Sequence, residues 1–185
     1  VATGADDRLA RLHGIWGLGQ IGRHTQAVNE LVLPLLSDAD AEIRTQAAKV
    51  LGDAKFESAH GALAKLLADK NPRAQTQAAS ALSKLPGNHT APVLAMLERS
   101  AGNDTALQHA GTLALANGTD TLANLANHKS IAVRTAALIA LRRQRSSQVA
   151  VFLSDTDAHI QLEAARAIAD AHIAEAMPQL ARLAK

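Results

Sequence analysis

The sequence contains no cysteine and very few aromatic side chains. Cys and Tyr are absent from the 185 residues, Trp occurs once and Phe twice. Without cysteine, these residues can form no disulfide bond, thiol nucleophile or Cys-based metal or haem attachment. Because aromatic residues are so scarce, the core must be built largely from Ala and Leu, which are strong helix formers and allow helices to approach closely.

The sequence also lacks an excess of charge of one sign. Its 19 Lys and Arg residues nearly balance its 17 Asp and Glu residues, for a formal net charge of +2. A dedicated nucleic-acid-binding domain usually has a more pronounced basic stripe. No apolar run approaches the ~18 residues that a transmembrane helix needs, and no segment alternates apolar and polar residues for long enough to predict a strand.

What the sequence does contain is one motif that recurs along the chain. It reads LSDADAEIRTQAAKVLG from Leu36, LADKNPRAQTQAASAL from Leu67 and FLSDTDAHIQLEAARAI from Phe152. Shorter variants begin at Thr105 and Ser130. The closing apolar residues of the copies lie 26–33 residues apart, at Leu18, Leu51, Leu82, Leu115, Leu141 and Ile168. Such a period is typical of a solenoid, in which each unit buries its apolar face against its neighbours.

Each copy contains the signals of a helix pair. A polar turn with Asp or Asn, such as Asp38 and Asp40, supplies N-cap chemistry for the helix that follows. Before each turn lies another apolar stripe, which predicts first helices at Ala27–Leu36, Ser58–Leu67, Ala91–Leu97, Thr121–Ala126 and Ser147–Leu153. Turn signals between units fall at Gly52-Asp53, Pro86-Gly87-Asn88, Asn117-Gly118 and Arg145-Ser146-Ser147. We therefore predict an all-α, right-handed solenoid of about five to six stacked antiparallel helix pairs.

This register predicts a half repeat at each end of the sequence. The chain begins inside a second helix, Asp7–Leu18, and ends inside a first helix, Ala174–Ala184. Repeat arrays normally cover such ends with polar capping units, and the N-terminal residues show neither an initiator Met nor a signal-peptide pattern. We expect residues 1–185 to be a single array from a longer protein.

The motif itself resembles the HEAT repeat. The resemblance rests on the Leu-x-Asp-x-Asp turn, the following Ile/Val-Arg and the Ala-Ala pair before Leu, and it is strongest for the short bilin-lyase-like subclass. In that family, an Asp in the turn and an Arg six residues later commonly form a polar ladder between units, and Asp38 and Arg44 match this spacing. Gln75 and Gln161 replace the Arg in two units and His128 replaces the Asp in another, so the expected ladder is incomplete.

Four segments in a fixed order carry a second resemblance. They are RLHGIWGLGQIG from Arg11, LQHAGTLALA from Leu107, VRTAALIALRR from Val133 and LEAARAI from Leu162. They resemble the helical region of large exported bacterial membrane-bound dehydrogenases, where it lies between a β-propeller and a cytochrome c domain with a CxxCH haem motif. The resemblance implies a periplasmic or exported location. It transfers no catalytic or haem-binding residue, because this sequence contains neither the propeller nor a CxxCH.

One glycine motif invites a different interpretation. Gly17–Gly22 matches the GxGxxG dinucleotide fingerprint, and Asp38 and Asp40 lie near the distance expected of an acidic ribose ligand. The fingerprint requires a strand-to-helix turn in a β-α-β unit. The residues before Gly17 instead carry the repeated helical motif, and no β-α-β series follows. We interpret these glycines as the end of a repeat helix and predict no cofactor.

Two further groups of residues could bind ligands. Lys129, Arg134, Arg142, Arg143 and Arg145 form a basic stretch, with no acidic residue from Thr121 through Ser154, which could form a phosphate-binding patch. Arg142 and Arg143 also suit a helix C-terminus, where cations complement the helix dipole. The eight histidines include no pair at i, i+3 or i, i+4, so we predict no helical metal site.

The single Trp marks the face on which we expect a partner to bind. Trp16 occupies the position that Lys49, Ser80 and Arg166 hold in sister helices, and Leu113 and Ile139 hold it in the divergent units. This position should point into a groove lined by the second helices, where Trp is a frequent binding anchor; alternatively, Trp16 packs against a first helix or a neighbouring unit. The predicted partner-binding residues are Trp16, Gln46, Lys49, Gln77, Glu163 and Arg166.

These observations favour a non-catalytic scaffold or protein-interaction module that binds a protein partner or flanking domains of its own chain. The sequence shows no paired carboxylates with catalytic spacing, no supported Ser-His-Asp order and no P-loop, so we predict no catalytic residue. Two alternatives stay open. One is a nucleic-acid- or phosphate-binding solenoid that uses Lys129–Arg145, and the other is a bilin-lyase-like ligand-binding protein.

Overall fold

The computed structural model describes residues 7–118 and 121–183, and no strand occurs among them. We number the α-helices α1–α9 along the chain. The second helices of the successive units are α1 (Arg8–Gly22), α2 (Ala41–Asp53), α4 (Pro72–Leu82), α6 (Thr105–Ala116), α7 (Ile131–Arg143) and α8 (Ala158–Asp170). These helices contact one another in chain order and form one layer of the array.

The first helices form the other layer, and several are 3₁₀ rather than α. The α-helical ones are α3 (His60–Leu66), α5 (Thr90–Ser100) and α9 (Met177–Leu183), and the 3₁₀ segments are Gln26–Leu31, Leu33–Ser37, Glu57–Ala59, Leu122–Asn127, Ser147–Ser154 and Ala174–Ala176. The helix predicted over Ala27–Leu36 is therefore divided in two. Pro34 stands near the start of the second piece, where it lacks the N–H that an α-helix through this region would require. Ala184, the predicted end of the last helix, lies outside the described residues.

A side chain caps the N-terminus of every second helix. Asp40 Oδ1, for example, accepts hydrogen bonds from the backbone N–H groups of Glu42 at 2.7 Å and Ile43 at 3.4 Å. The equivalent caps in the other units are Asp7, Asn71, Asp104, Ser130 and Asp157. The cap is thus the second polar residue of each predicted turn, and the first is available for a different contact.

Glycine and alanine set the distance between successive second helices. Gly52 lies inside α2, whereas the sequence predicted a turn at Gly52-Asp53. A Cβ atom on Gly52 would lie 2.5 Å from the Cβ and 2.6 Å from the Cα of Ala81 on α4. Gly52 therefore allows the two helices to pack closely. In the turn that follows α2, the residue with left-handed backbone is Lys55, with φ of 50°.

The glycines of the GxGxxG motif also lie within a helix. α1 runs through Gly17, Gly19 and Gly22 and ends at Gly22, four residues beyond the predicted end at Leu18. Gly19 faces Val50, whose Cγ2 would lie 2.9 Å from an added Cβ, and Gly22 faces the amide of Asn29. The motif therefore closes a helix, as the sequence indicated, and lacks the strand-to-helix turn of a dinucleotide site.

Ion pairs join the edges of neighbouring units into a ladder. The guanidinium of Arg44 donates to both carboxylate oxygens of Asp69, from Nε at 2.7 Å and from Nη2 at 2.8 Å. Arg134 forms the same two-point contact with Asp155. Arg11 also contacts both carboxylate oxygens of Asp38, from Nη1 and Nη2. Each Arg thus pairs with the Asp of the following unit. In its own unit, Arg44 Nη1 donates at 2.7 Å to the backbone carbonyl of Asp38.

Glutamine preserves half of this arrangement. Gln75 and Gln161 donate to the backbone carbonyls of Asp69 and Asp155, as Arg44 does to Asp38. Because the glutamine side chain is shorter and uncharged, it keeps the bond within the unit and forms no ion pair across the junction. The ladder is incomplete, as the sequence predicted, and its rungs connect the first three units and the last two.

Removing a buried rung should destabilise the array. Arg134 and Asp155 are almost completely buried, so Arg134→Gln leaves a carboxylate with one backbone donor, from Asp157, and no cation. We expect a loss of roughly 2–4 kcal/mol in the free energy of unfolding. Urea unfolding will measure it. Arg143→Gln, an exposed change on the same helix, is the control and should alter stability by less than about 0.5 kcal/mol. Equal effects of the two changes would mean that the rung adds no stability.

The rungs should also make stability depend on acidic pH. Hydrogen bonds from Arg11 and Arg44 hold the pKa values of Asp38 and Asp69 below the ordinary 3.8. The unfolded chain therefore binds protons first, and this stabilisation, complete above about pH 5, is lost as the pH falls through 3.8 towards the folded pKa values. We expect a smaller loss below about pH 5 in Arg44→Gln, because its Asp69 lacks the cation. Urea titrations at a series of pH values will measure this, and parallel curves for the two proteins would contradict it.

Two glycine substitutions should have opposite effects although both add one methyl group inside a helix. Gly52→Ala places a Cβ against Ala81 and should cost about 1–3 kcal/mol. Gly17→Ala meets no atom within 4 Å and should stabilise α1 by about 0.5–1 kcal/mol, because Ala is the better helix former. Thermal unfolding will give both values. A destabilising Gly17→Ala would contradict the helical role of the glycine motif.

Candidate partner-binding face

Three of the six predicted binding residues meet at one recess on the layer of second helices. The recess has a volume of about 110 Å³ and lies between α1 and α2. Trp16, Gln46 and Lys49 line it, and they do so because equivalent positions of successive second helices come side by side. The other lining residues are Gly19, Gln20, Arg23, Val50 and Asp53.

The orientation of Trp16 is fixed by its neighbours. Its indole Nε1 donates to Gln46 Oε1 at 3.0 Å, and Gln46 Nε2 in turn donates to Glu42 at 2.9 Å. The ring of His13 meets the indole edge-on, with 5.2 Å between centroids. Trp16 nevertheless remains 42% exposed. It therefore presents apolar ring surface in one orientation, and packing against the neighbouring unit covers only part of it.

A cluster of charges crosses the same face from α2 to α4. Asp53 accepts hydrogen bonds from Lys49 on its own helix and from Lys84, each at 2.6 Å. Burial alone would raise the pKa of Asp53, but the hydrogen bonds from the two lysines outweigh it, and the pKa lies below its ordinary value. Asp53 is thus a carboxylate at neutral pH. About three turns nearer the helix N-termini, Arg73 pairs with Glu42 at 3.0 Å.

The remaining predicted residues lie elsewhere on the layer. Gln77 is half-buried on α4. Glu163 and Arg166 form an ion pair of 2.7 Å with each other on α8. These two belong to the last second helix, whereas the recess lies between the first two, so the six residues do not form one continuous site.

Several residues of this face were not among those predicted from the sequence. Gln20 lies four residues after Trp16. In the next two units, Asp53 lies four residues after Lys49 and Lys84 four residues after Ser80. Residues at i and i+4 share a helix face, so this spacing could have identified Gln20 and Asp53. Lys84 lies just beyond α4, which ends at Leu82. Arg23 was missed for another reason, because α1 continues beyond Leu18 and places its C-terminal end at the recess.

The basic stretch Lys129–Arg145 does not form one patch. Arg134 is buried against Asp155, Arg142 lies 3.4 Å from Asp170, and Arg145 donates to the carbonyl of Ala171. Lys129 lies 3.8 Å from Glu98. The carboxylates come from the preceding and following units, outside the acid-free segment, which is why the sequence alone suggested an unbalanced charge.

The histidines of the described residues do not gather into a metal site. Across residues 7–118 and 121–183, no group of three or more His, Cys, Asp or Glu side chains is arranged to hold a metal ion. The closest histidine pair is His60 and His89, whose Nε2 and Nδ1 atoms lie 3.3 Å apart. None of the helices described has both the length and the apolar character needed to cross a bilayer.

Comparisons with known proteins agree with this architecture. Residues 28–116 match the family model for HEAT repeats. Two crystal structures of engineered proteins are similar over most of the chain, each with a TM-score of 0.52. One is 21% identical, with 91% of this chain and 92% of the other covered; the second is 20% identical, with 90% and 94% covered. None of the curated protein sequences matches the chain. The chain is an all-α solenoid of HEAT-like repeats.

Proposed function

We propose that this solenoid is a non-catalytic scaffold whose protein partner, or a flanking domain of its own chain, binds on the layer of second helices at the recess beside Trp16. The observation that carries the proposal is the exposed indole, held in one orientation by Gln46. Trp is among the residues that contribute most to protein interfaces, above all where the ring enters a pocket on the partner.

The way the array is stabilised supports this choice of face. Its core lies between the two helical layers, and its rungs lie along the edge formed by the turns. Trp16, Lys49 and Lys84 contribute to neither, so they can contact a partner without changing how the units stack. A preorganised surface also loses little conformational entropy on binding.

The alternatives fit the observed contacts less well. A nucleic-acid-binding solenoid needs a continuous basic surface, whereas Arg134, Arg142 and Lys129 each lie beside a carboxylate of another unit. A bilin-lyase-like protein needs an enclosing ligand pocket of about 300–1,000 Å³. The recess beside Trp16 has only about 110 Å³, and the two larger depressions beside Asp69, of about 460 Å³ each, are more open to solvent than the recess. The matches to HEAT repeats and to engineered proteins lend no support to the resemblance to exported dehydrogenases, so we propose no redox chemistry for these residues.

Peptides selected against the protein should bind this face. We expect most peptides selected from a random displayed library to bind Trp16→Ala and Lys49→Glu about tenfold more weakly than they bind the parent protein. A tenfold change corresponds to about 1.4 kcal/mol in the free energy of binding. Fluorescence anisotropy will measure the affinities. Lys49→Glu should change thermal stability by less than about 1 kcal/mol, because its ion pair lies at the surface. Trp16→Ala should be more destabilising, because it also removes the covered part of the ring and the hydrogen bond to Gln46.

The matched control is Lys65→Glu, a charge reversal at an exposed position of α3 in the other layer. Its affinity for the selected peptides should equal that of the parent protein. Loss of binding in Lys65→Glu with full binding in Trp16→Ala and Lys49→Glu would assign the partner to the first helices and contradict the proposal.

A further inference from the structure

The charges around the recess are arranged by depth. Lys49 is 51% exposed and Lys84 40%, whereas the side chain of Asp53, which both contact, is 26% exposed. Arg73 is 70% exposed, and the side chain of Glu42, its partner, again 26%. In all three contacts the cation is the more exposed member. An approaching molecule therefore meets positive charge first, although the chain as a whole is nearly neutral.

The charged groups beside the recess also have more unused hydrogen-bond donors than unused acceptors. Each oxygen of Asp53 already accepts from one lysine, Oδ2 from Lys49 and Oδ1 from Lys84. A lysine ammonium has three N–H donors, and each of these lysines uses one of them for Asp53. The cluster thus has donors to offer and few acceptors. Arg23, exposed at the end of α1, adds a further cation to the rim of the recess.

The recess between these cations has room for one small apolar group. The indole of Trp16, the backbone at Gly19 and the side chain of Val50 form its apolar walls. At about 110 Å³, it is smaller than a cavity of about 150 Å³ that holds a benzene molecule. One aliphatic side chain matches this size better than an aromatic ring or a nucleobase.

We propose that the partner binds through an aliphatic residue flanked by carboxylates, in an acidic segment of protein. The aliphatic side chain packs against Trp16 in the recess, and the neighbouring Asp or Glu side chains accept hydrogen bonds from Lys49, Lys84 and Arg23. This inference rests on the proposed function and specifies the chemistry of its partner.

The same face suits a peptide better than a nucleic acid. A phosphate backbone carries a negative charge at every nucleotide, and it would pass the carboxylates of Glu42 and Asp53 between the cations. Binding to single strands also relies on a series of aromatic platforms, and Trp16 is the single Trp in a chain without Tyr. A peptide can place its few carboxylates only where the cations are.

Trp16 is also a built-in reporter for the test. Because the chain has no other Trp and no Tyr, its intrinsic indole fluorescence comes from this site alone. The probe is the synthetic peptide acetyl-Gly-Glu-Glu-Leu-Glu-Glu-Gly-amide, titrated at low ionic strength. Comparison peptides replace every Glu by Gln, every Glu by Lys, or the Leu by Ala. A thymidine oligonucleotide is titrated in parallel.

We expect the acidic peptide to change Trp16 fluorescence in a saturable way. Its affinity should be at least about tenfold higher than that of the Gln or Ala versions. Added salt should weaken binding, because exposed charges are screened within about 8–10 Å at ordinary ionic strength. Lys49→Met combined with Lys84→Met keeps the apolar stems and removes the charges, and should lose about tenfold in affinity. Arg166→Met, at an ion-paired position of similar exposure on α8, is the control and should bind normally.

Each other outcome has a definite meaning. Equal binding of the Gln and Glu peptides, with normal binding by the double Met variant, would overturn the inference while leaving this face as the binding site. Tighter binding of the Lys peptide or of the oligonucleotide would also overturn it, and the latter would favour nucleic acid. No fluorescence change with any peptide would reject the acidic segment, and the displayed-library selection would then decide separately whether the face binds peptides at all.

Discussion

The close contact between successive second helices is the constraint on which the rest of the structure depends. Small residues make this contact close, since Gly52 meets Ala81 with no room for an added methyl group and Gly19 meets the side chain of Val50. This short distance lets Gln46 reach Trp16 and lets Lys84 reach Asp53 across the unit boundary. Larger residues at the contact would separate the helices and break these cross-unit bonds.

The polar ladder, at the edge of the array formed by the turns, also constrains the distance between neighbouring units. A two-point contact between guanidinium and carboxylate is directional, so the rungs at Arg11, Arg44 and Arg134 restrict rotation between units as well as their separation. Gln75 keeps only the bond within its own unit, and the junction after it depends on apolar packing and on hydrogen bonds such as that from Arg99 to the carbonyl of Leu67. The recess belongs to the part of the array that has consecutive rungs.

The residues that stabilise the array are largely different from the exposed residues of the proposed binding face. The core consists of buried apolar side chains and the rungs of ion pairs between units, whereas Trp16 and Lys49 at the recess are exposed side chains outside the core. Residues of the proposed binding face can therefore differ between units without disturbing the fold. The position of Trp16 illustrates this, since Lys49, Ser80, Leu113, Ile139 and Arg166 occupy it in the other units.

Periodicity and turn chemistry were sufficient to predict an all-α array, the order of its helix pairs and the helical role of Gly17–Gly22, because these depend on contacts that recur at a fixed spacing. The broken ladder was expected from the resemblance to the HEAT repeat. Only the tertiary structure showed that each Arg pairs with the following unit, that Gly52 serves packing, and that carboxylates from other units neutralise much of Lys129–Arg145. It also joined Trp16, Gln46 and Lys49 in one recess and left Glu163 and Arg166 apart. Such pairings depend on which side chains of separate units come within a few ångströms, and a repeat period carries no information about that distance.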